Sequence, residues 1–261
     1  MKKAFVTFLA TPDFLPGILA LSHSLRQTQN NTDLVVLVTP EIDKEIFSFF
    51  DTNSFRVKIV ESIDNPYRKE LTDPRFFHMY TKLRVFTLTE YEKIVYLDAD
   101  LLVCTCIECL FDKPHMSGVP AGSIIEQNRH WTKFNAGLLV IEPSMDLFKK
   151  MELEIRRLPS VTKGDQGFLH SYYPDWDDQP ILHLDHCFNI PALYLDQYCA
   201  MGRFAFDYHD RTLISENIAI IHFWGGVKPW NYGEKYNDSG SLTKYEQAIN
   251  LWWDYFDSAI E

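Results

Sequence analysis

Two aspartates one residue apart, Asp98 and Asp100, close a short apolar run, Ile94-Val95-Tyr96-Leu97. The chain turns apolar again at once through Leu101, Leu102 and Val103. Carboxylates are costly to bury in such a setting unless positive charge sits on them. Spaced i, i+2 at a strand end, the pair can converge on one hard divalent cation whose other positions take phosphate oxygens. An isolated D-x-D is better read as two solvated turn residues; the flanking apolar runs favour the cation. Three more stretches hold chemistry-bearing residues. In Asn135-Ala136-Gly137, small residues open the backbone to a ligand and Asn135 can hydrogen-bond a hydroxyl, although a β-bulge would also explain the glycine. Asp165-Gln166 lies between Gly164 and Gly167 before a predicted helix, where the structural alternative is an N-cap aspartate. His222 ends an apolar run, and Lys228 follows in the same segment. An imidazole and two carboxylates suit a cation that also binds phosphate, and a lysine complements the phosphate charge. Alone, a strand-end histidine reads as structural.

These residues need a scaffold that brings strand ends together. With 261 residues, 46% of them hydrophobic, the chain is predicted to form one large domain, residues 1–261. A first half of alternating strands and helices is expected at about residues 1–103 and a more mixed half at about 104–261. A formal net charge of −11 argues against nucleic acid or an anionic membrane surface as partner. The opening MKKAFVTFLATPDFLP is broken by Thr7, Thr11, Pro12 and Asp13, so it reads as a first strand and not a signal peptide. No later run is long enough to span a bilayer, and a cytoplasmic protein is expected. Of the five cysteines, Cys104, Cys106 and Cys109 follow the acidic pair. Zinc there would need His115 as a fourth ligand and irregular spacing, so reduced thiols are expected.

Along the chain, Lys3–Ala10, Asp33–Val38 and Arg56–Glu61 read as strands. Between them fall a helix presenting Leu15, Ile18, Leu21 and Leu25, and another through Ile42, Ile46 and Phe49. Asp64–Pro74 reads as a loop; Phe76–Thr89 reads as a helix with Met79, Leu83 and Phe86 inward and Lys82 nearby. Val119–Ile125, Phe134–Ile141 and Asn217–Phe223 are predicted strands; Ser144–Leu158 and Leu242–Phe256 are predicted helices, the last packing Trp252, Trp253 and Phe256. This rhythm implies an α/β fold with a parallel, doubly wound sheet and its ligand site at the strand ends. No G-x-G-x-x-G follows the first strand and no P-loop occurs.

Several stretches carry a resemblance: AFVTFLAT (Ala4–Thr11), LVVLVTP (Leu34–Pro40), TKLRVFTLTEYEKIVYLDADLLV (Thr81–Val103), FNAGLLVIEPS (Phe134–Ser144), GDQGFL (Gly164–Leu169), HFWGGVKPWNY (His222–Tyr232) and LWWDYF (Leu251–Phe256). In order and content they resemble the family 8 retaining glycosyltransferases, above all the self-priming initiators of glycogen, with the galactinol synthases nearer on a few motifs. The resemblance implies a GT-A fold, a Rossmann-like and mostly parallel sheet with flanking helices. It also implies a UDP-sugar donor, UDP-glucose or a related hexose, held with Mn²⁺ or Mg²⁺. Carried over by motif, Asp98, Asp100 and His222 would hold the metal, with Ala99 between the aspartates. Leu9, Thr11 and Phe14 would face the uridine; Phe14 stands where the glycogen-priming members have a tyrosine. Lys82, Gly225 and Lys228 would meet the donor's phosphates and sugar, while Asn135, Ala136, Gly137, Asp165 and Gln166 would line sugar and acceptor. Asp165, Gln166 and Lys82 are the expected catalytic set, and a homodimer is implied.

The acceptor would be a glycan, a polyol or the protein's own tyrosine. At the family's acceptor-tyrosine position stands Asp196, flanked by Tyr194 and Tyr198, either of which could serve from a loop. His130-Trp131-Thr132-Lys133 departs from the family's acidic acceptor-side stretch, and the arginine expected ahead of Lys82 has no clean counterpart. A haloacid-dehalogenase-like phosphatase would place its D-x-D after the first strand with a threonine beyond it, where Leu102 stands. A sugar-nucleotide pyrophosphorylase would need a glycine- and basic-rich loop in place of Thr11-Pro12-Asp13. A non-enzymatic sugar-nucleotide-binding protein is the remaining alternative.

Overall fold

The structure, a computed structural model, describes residues 2–52, 55–122, 124–237 and 242–260. In chain order its elements are β1 (Lys3–Phe8), α1 (Leu15–Gln27), β2 (Leu34–Val38), α2 (Lys44–Thr52), β3 (Arg56–Ile59), β4 (Lys93–Leu97), β5 (Leu101–Val103), β6 (Gly118–Pro120) and β7 (Phe134–Ile141). There follow α3 (Met145–Glu154), α4 (Asp165–Tyr172), β8 (Ile190–Pro191), α5 (Leu195–Ala200), β9 (Ala205–His209), β10 (Thr212–Glu216), β11 (Ile220–His222) and α6 (Lys244–Ile260). The chain forms two compact units.

The first unit comprises Met1–Asp13, Thr32–Leu97 and Leu110–Leu184. Its six-stranded sheet has the order β3-β2-β1-β4-β7-β6. β1 lies parallel to β2 and β4, and β2 parallel to β3, whereas β7 runs antiparallel to both β4 and β6. The sheet is therefore mostly parallel with an antiparallel flank, as apolar runs covered on both faces require. Every residue of β4 and of β7 is buried. The strand order reverses between β1 and β4, the switch point where α/β sheets receive ligands. Leu9–Thr11 leave β1 at that end, and β4 stops one residue before Asp98. The edge strand β3 is charged through Arg56 and Lys58, which blunts edge pairing.

Two expectations change here. Phe76–Thr89 is not an α-helix but a pair of 3₁₀ segments, Pro74–Phe76 and Met79–Thr87. Leu83 and Phe86 point inward as predicted, and Met79 is half-buried. The β-branched Thr81, Val85 and Thr87 weaken an α-helix, and Lys82 is drawn into the interior by partners described below. The strand predicted over Val119–Ile125 is only β6, because Gly122 turns the chain where a Cβ would strike Asn128; residue 123 lies outside the described residues.

The second unit comprises Phe14–Asn31, Asp98–Cys109 and Asp185–Glu261. β11 is the middle of a three-stranded sheet, antiparallel to β5 and parallel to β8. α1 packs against α6 and β5. Trp252 of α6 is fully buried, stacked on Phe256 with ring centres 5.3 Å apart and tilted against Trp230 at 5.5 Å, so the aromatic tail is packing. A β9–β10 hairpin, absent from the sequence reading, turns through Asp210 and Arg211 at φ of 47° and 59°. Both central residues lie in the left-handed region, as a type I′ turn demands, but no glycine marks it.

Candidate functional site

Each unit holds one cluster of the residues singled out in the sequence. In the second unit, the β5–β11 pairing sets His222 opposite Leu101, and Phe223 N–H donates to the Asp100 carbonyl at 2.9 Å. This brings His222 Nε2 to 3.2 Å from Asp100 Oδ1. Lys228 Nζ lies 2.5 Å from Asp100 Oδ2 and donates to the Phe223 carbonyl at 2.9 Å. One ligating atom from each of Asp98, Asp100 and His222 falls within 4.8 Å of the other two, and no other group of three such residues occurs among the described residues. Burial alone would raise the Asp100 pKa; the charges and hydrogen bonds of His222 and Lys228 outweigh it and hold the carboxyl well below the usual range.

Asn189 belongs to this cluster and escaped the sequence reading. Its Oδ1 lies 2.8 Å from His222 Nδ1. If Nδ1 carries the proton and donates it there, the Nε2 lone pair is left facing Asp98 and Asp100. A buried asparagine beside an apolar strand was the available signal, but its partner lies far along the chain. Ala99 fits because α1 carries Gly17 beneath it: a Cβ on Gly17 would overlap the Ala99 carbonyl oxygen. Phe14 is half-buried, edge-on to Trp230 at 5.5 Å, with the Lys228 ammonium 5.9 Å from its ring centre. Gly225 is exposed at φ +97°, a conformation that favours glycine.

In the first unit, Asp165 is the first residue of α4 and is buried; the N-cap is Gly164, so the N-cap alternative for Asp165 does not hold. A carboxylate in the first turn also suits the helix dipole. Lys82 Nζ lies 3.3 Å from Asp165 Oδ2, donates to the Ala136 carbonyl at 2.6 Å and sits 4.4 Å from the Tyr96 ring centre. Gln166 Oε1 accepts from Ala136 N–H at 2.9 Å, and Asn135 Oδ1 accepts from Gly137 N–H at 2.8 Å. Ala136 is thus gripped from both sides, by Lys82 at its oxygen and Gln166 at its nitrogen. Gly118 of β6 pairs Leu139 but Pro120 pairs Phe134, so the register break leaves extra residues on β7 between Phe134 and Leu139, Gly137 among them, as the bulge reading expected. A Cβ on Gly167 would collide with Ser160 Oγ, which explains the second glycine of the motif. Leu9 is buried with its N–H on the Leu37 carbonyl at 2.9 Å, and the Thr11 hydroxyl donates to Asp13.

Cys104, Cys106 and Cys109 form no disulfide among the described residues. His115, the fourth zinc ligand considered, accepts Glu142 N–H at Nδ1 at 3.0 Å and meets Tyr173 Oη at Nε2 at 3.2 Å. Tyr198 is 2% exposed and packs on Phe204 with ring centres 5.2 Å apart, whereas Tyr194 is half-buried. No described helix is long and apolar enough to cross a membrane.

The chain is similar to known proteins. The chain is 32% identical over 242 residues to inositol phosphorylceramide glucuronosyltransferase 1 of Arabidopsis thaliana, covering 88% of this chain and 43% of that protein. It is 29% identical over 276 residues to glycogenin-1 of Mus musculus, covering 99% of this chain and 76% of the relative. Its fold, that of the GT-A glycosyltransferases, matches the apo glycosyltransferase GlyE of Streptococcus pneumoniae TIGR4 with a TM-score of 0.61 at 21% identity, over 97% of this chain and 60% of that one. A family model described as glycosyl transferase family 8 matches residues 5–234, and with Asp98-Ala99-Asp100, Gly164-Asp165-Gln166-Gly167 and His222 inside that span the chain belongs to glycosyl transferase family 8.

Proposed function

We propose that this glycosyltransferase is metal-dependent and retaining, and moves a hexose, glucose first among the candidates, from a UDP-sugar to an acceptor hydroxyl. The observation that carries the reading is the Asp98–Asp100–His222 cluster. Two carboxylates and an imidazole nitrogen within 4.8 Å of one another form a donor set that suits Mn²⁺, or Mg²⁺ in its place, with positions left for phosphate oxygens. When bound, the ion would supply charge stabilisation to the departing diphosphate. Lys228 adds a fixed positive charge for the same phosphates, preorganised by its bond to the Phe223 carbonyl. Asp165 would meet the positive charge that develops at the anomeric carbon. Lys82 keeps that carboxylate in place, and Gln166 and Lys82 together immobilise Ala136.

A second reading, transfer of a uronic acid, is favoured by one observation: the 32% identity to a glucuronosyltransferase. One experiment addresses both. The protein is incubated with Mn²⁺ and a panel of UDP-sugars that includes UDP-glucose, UDP-galactose and UDP-glucuronate, and released UDP and intact mass are followed. Metal-dependent UDP release from a hexosyl donor, abolished by EDTA, is expected. Release from UDP-glucuronate alone would select the second reading, and no release or UDP binding with either metal would refute both.

A further inference from the structure

Asp165 is presented by a turn that is held from a segment the sequence marks only as a loop. Because Asp165 is the first residue of α4, its place is set by the turn before it, residues 160–164. Lys163 N–H donates to the Ser160 carbonyl at 3.0 Å, and Ser160 Oγ donates to the Gly164 carbonyl at 2.7 Å. Thr162 Oγ1 accepts Gly167 N–H at 3.0 Å, tying the turn to the first turn of α4. This closure leaves Lys163 at φ +56°, a conformation that residues other than glycine rarely adopt. Such a residue stays there only where its surroundings over-determine it.

Those surroundings come from residues 65–70. Tyr67 Oη accepts Ser160 N–H at 2.9 Å, at the entrance of the turn. Asn65 Nδ2 donates to the Lys163 carbonyl at 2.8 Å, at its exit, across 98 positions of sequence. Asn65 is 2% exposed and all its polar groups are engaged. Nδ2 also donates to the Phe76 carbonyl at 3.0 Å, and Oδ1 accepts Tyr67 N–H at 2.9 Å. Its own N–H donates to the Phe77 carbonyl and its carbonyl accepts Arg68 N–H, each at 3.0 Å. One buried amide therefore fixes both Tyr67 and Lys163. The ion pair of Lys163 Nζ with Glu70 at 3.1 Å adds little, because both side chains are exposed. The chain then runs on to Met79, whose Cε would lie 3.4 Å from a Cβ on Gly164, and to Lys82, 3.3 Å from Asp165 Oδ2. One stretch thus holds the Asp165 carboxylate through Lys82 and the backbone that carries it through Asn65 and Tyr67. All of these residues belong to the first unit.

We infer that Asn65 and Tyr67 are positioning residues for Asp165: by fixing the turn at residues 160–164 they set where α4 presents its carboxylate. That Asp165 acts on the reacting sugar rests on the transferase reading; that Asn65 and Tyr67 place it rests on the hydrogen bonds alone. A shift of about 1 Å in a catalytic group can slow a reaction about 10²-fold, so loosening the turn acts on turnover and not on donor binding.

The test uses the full chain and three variants. Tyr67→Phe removes only the hydroxyl that takes Ser160 N–H, Asn65→Ala removes the amide, and Lys69→Ala is an exposed control in the same segment. Amide hydrogen exchange, read by NMR, is expected to quicken about tenfold or more at Ser160, Lys163 and Gly167 in Tyr67→Phe and Asn65→Ala, and to match the parent in the control. Turnover with UDP-glucose, UDP-galactose and UDP-glucuronate in Mn²⁺ is followed by released UDP. In both variants kcat is expected to fall about tenfold or more, with donor KM and UDP Kd within about twofold of the parent. Thermal melting shows whether each variant is folded, and Tyr67→Phe carries the test if Asn65→Ala is not. The inference is overturned if exchange in Tyr67→Phe matches the parent, or if UDP affinity falls as far as kcat. It is also overturned if exchange quickens and kcat is unchanged while Asp165→Asn is slow. No turnover by the parent with any donor, or full turnover by Asp165→Asn, would instead sink the role that the transferase reading gives Asp165. The exchange rates would then still decide whether Asn65 and Tyr67 hold the turn.

Discussion

Replacing Asp100 with asparagine separates what the buried cluster does for the fold from what it does for a metal. Asp100 and Lys228 are 7% and 6% exposed and lie 2.5 Å apart. At an effective dielectric of about 20, unit charges at that separation attract by roughly 7 kcal/mol, much of which offsets their desolvation. Asparagine keeps the shape but leaves the Lys228 ammonium buried without its counter-ion, a loss that costs about 3–5 kcal/mol. For a chain of this size each kcal/mol moves Tm by about 2–4 °C, so a fall of roughly 6–20 °C is expected in EDTA. Asp98 is half-buried, whereas the buried Lys228 ammonium is bonded to Asp100, so Asp98→Asn should shift Tm by only about 2–4 °C. Both variants should nevertheless fail to bind Mn²⁺ by calorimetry. The parent at about 100 Kd of Mn²⁺ should gain about 2.7 kcal/mol, and neither variant should gain it. If Asp100→Asn melts with the parent in EDTA, the buried ion pair is not holding the cluster. If either variant keeps the Mn²⁺ shift, the ligand assignment is wrong.

Three further outcomes follow from the same geometry. Asp165→Asn should leave UDP affinity nearly unchanged while slowing sugar transfer by the equivalent of about 2–4 kcal/mol; weaker UDP binding with normal turnover per bound donor would make Asp165 structural. Asn189→Ala should cut Mn²⁺ affinity about 10–100-fold by releasing the His222 ring, with partial rescue by Asn189→Asp; an unchanged Kd would show that the 2.8 Å contact does not orient the ligand. Burial, as the largest cause, lowers the pKa values of His115, His170 and His186 below 6.5. Groups lowered in the folded state stabilise it in full above the unfolded value and lose that contribution as pH falls. Tm should therefore drop between about pH 7.5 and about pH 5.5, and His170→Gln should flatten the slope. A flat profile for the parent would refute the assignment.

The parts of the fold readable in the sequence are those whose cause is local. β1, β4 and β7 announce themselves because strands covered on both faces must be apolar throughout, and Asp98 breaks that pattern where the sheet ends. The β9–β10 turn was invisible because Asp210 and Arg211 adopt positive φ without a glycine to mark it. The 3₁₀ course of Met79–Thr87 was equally hidden, because Lys82 is drawn inward by Asp165 and Ala136, residues more than fifty positions away.

The same division runs through the site. The residue types at Asp98, Asp100 and His222 point to a cation, yet their convergence depends on β5 pairing with β11, which no spacing within either segment encodes. Only the order of motifs shared with a family joined them in advance. Asn189 was not singled out by any such motif, and its place in the cluster comes from its bond to His222 Nδ1. A buried polar residue is tolerated only when another segment answers it. For that reason its meaning is a property of the pair, and the pair is formed by the fold. Lys228 shows the consequence most clearly. Read alone it is a candidate phosphate-binding lysine; read with Asp100 it is also the counter-ion of a proposed metal ligand, and on that proposal donor binding and the integrity of the cluster are coupled through one side chain. Lys228→Met should therefore lower Tm in EDTA as well as weaken UDP binding, whereas a purely phosphate-facing lysine would do only the second.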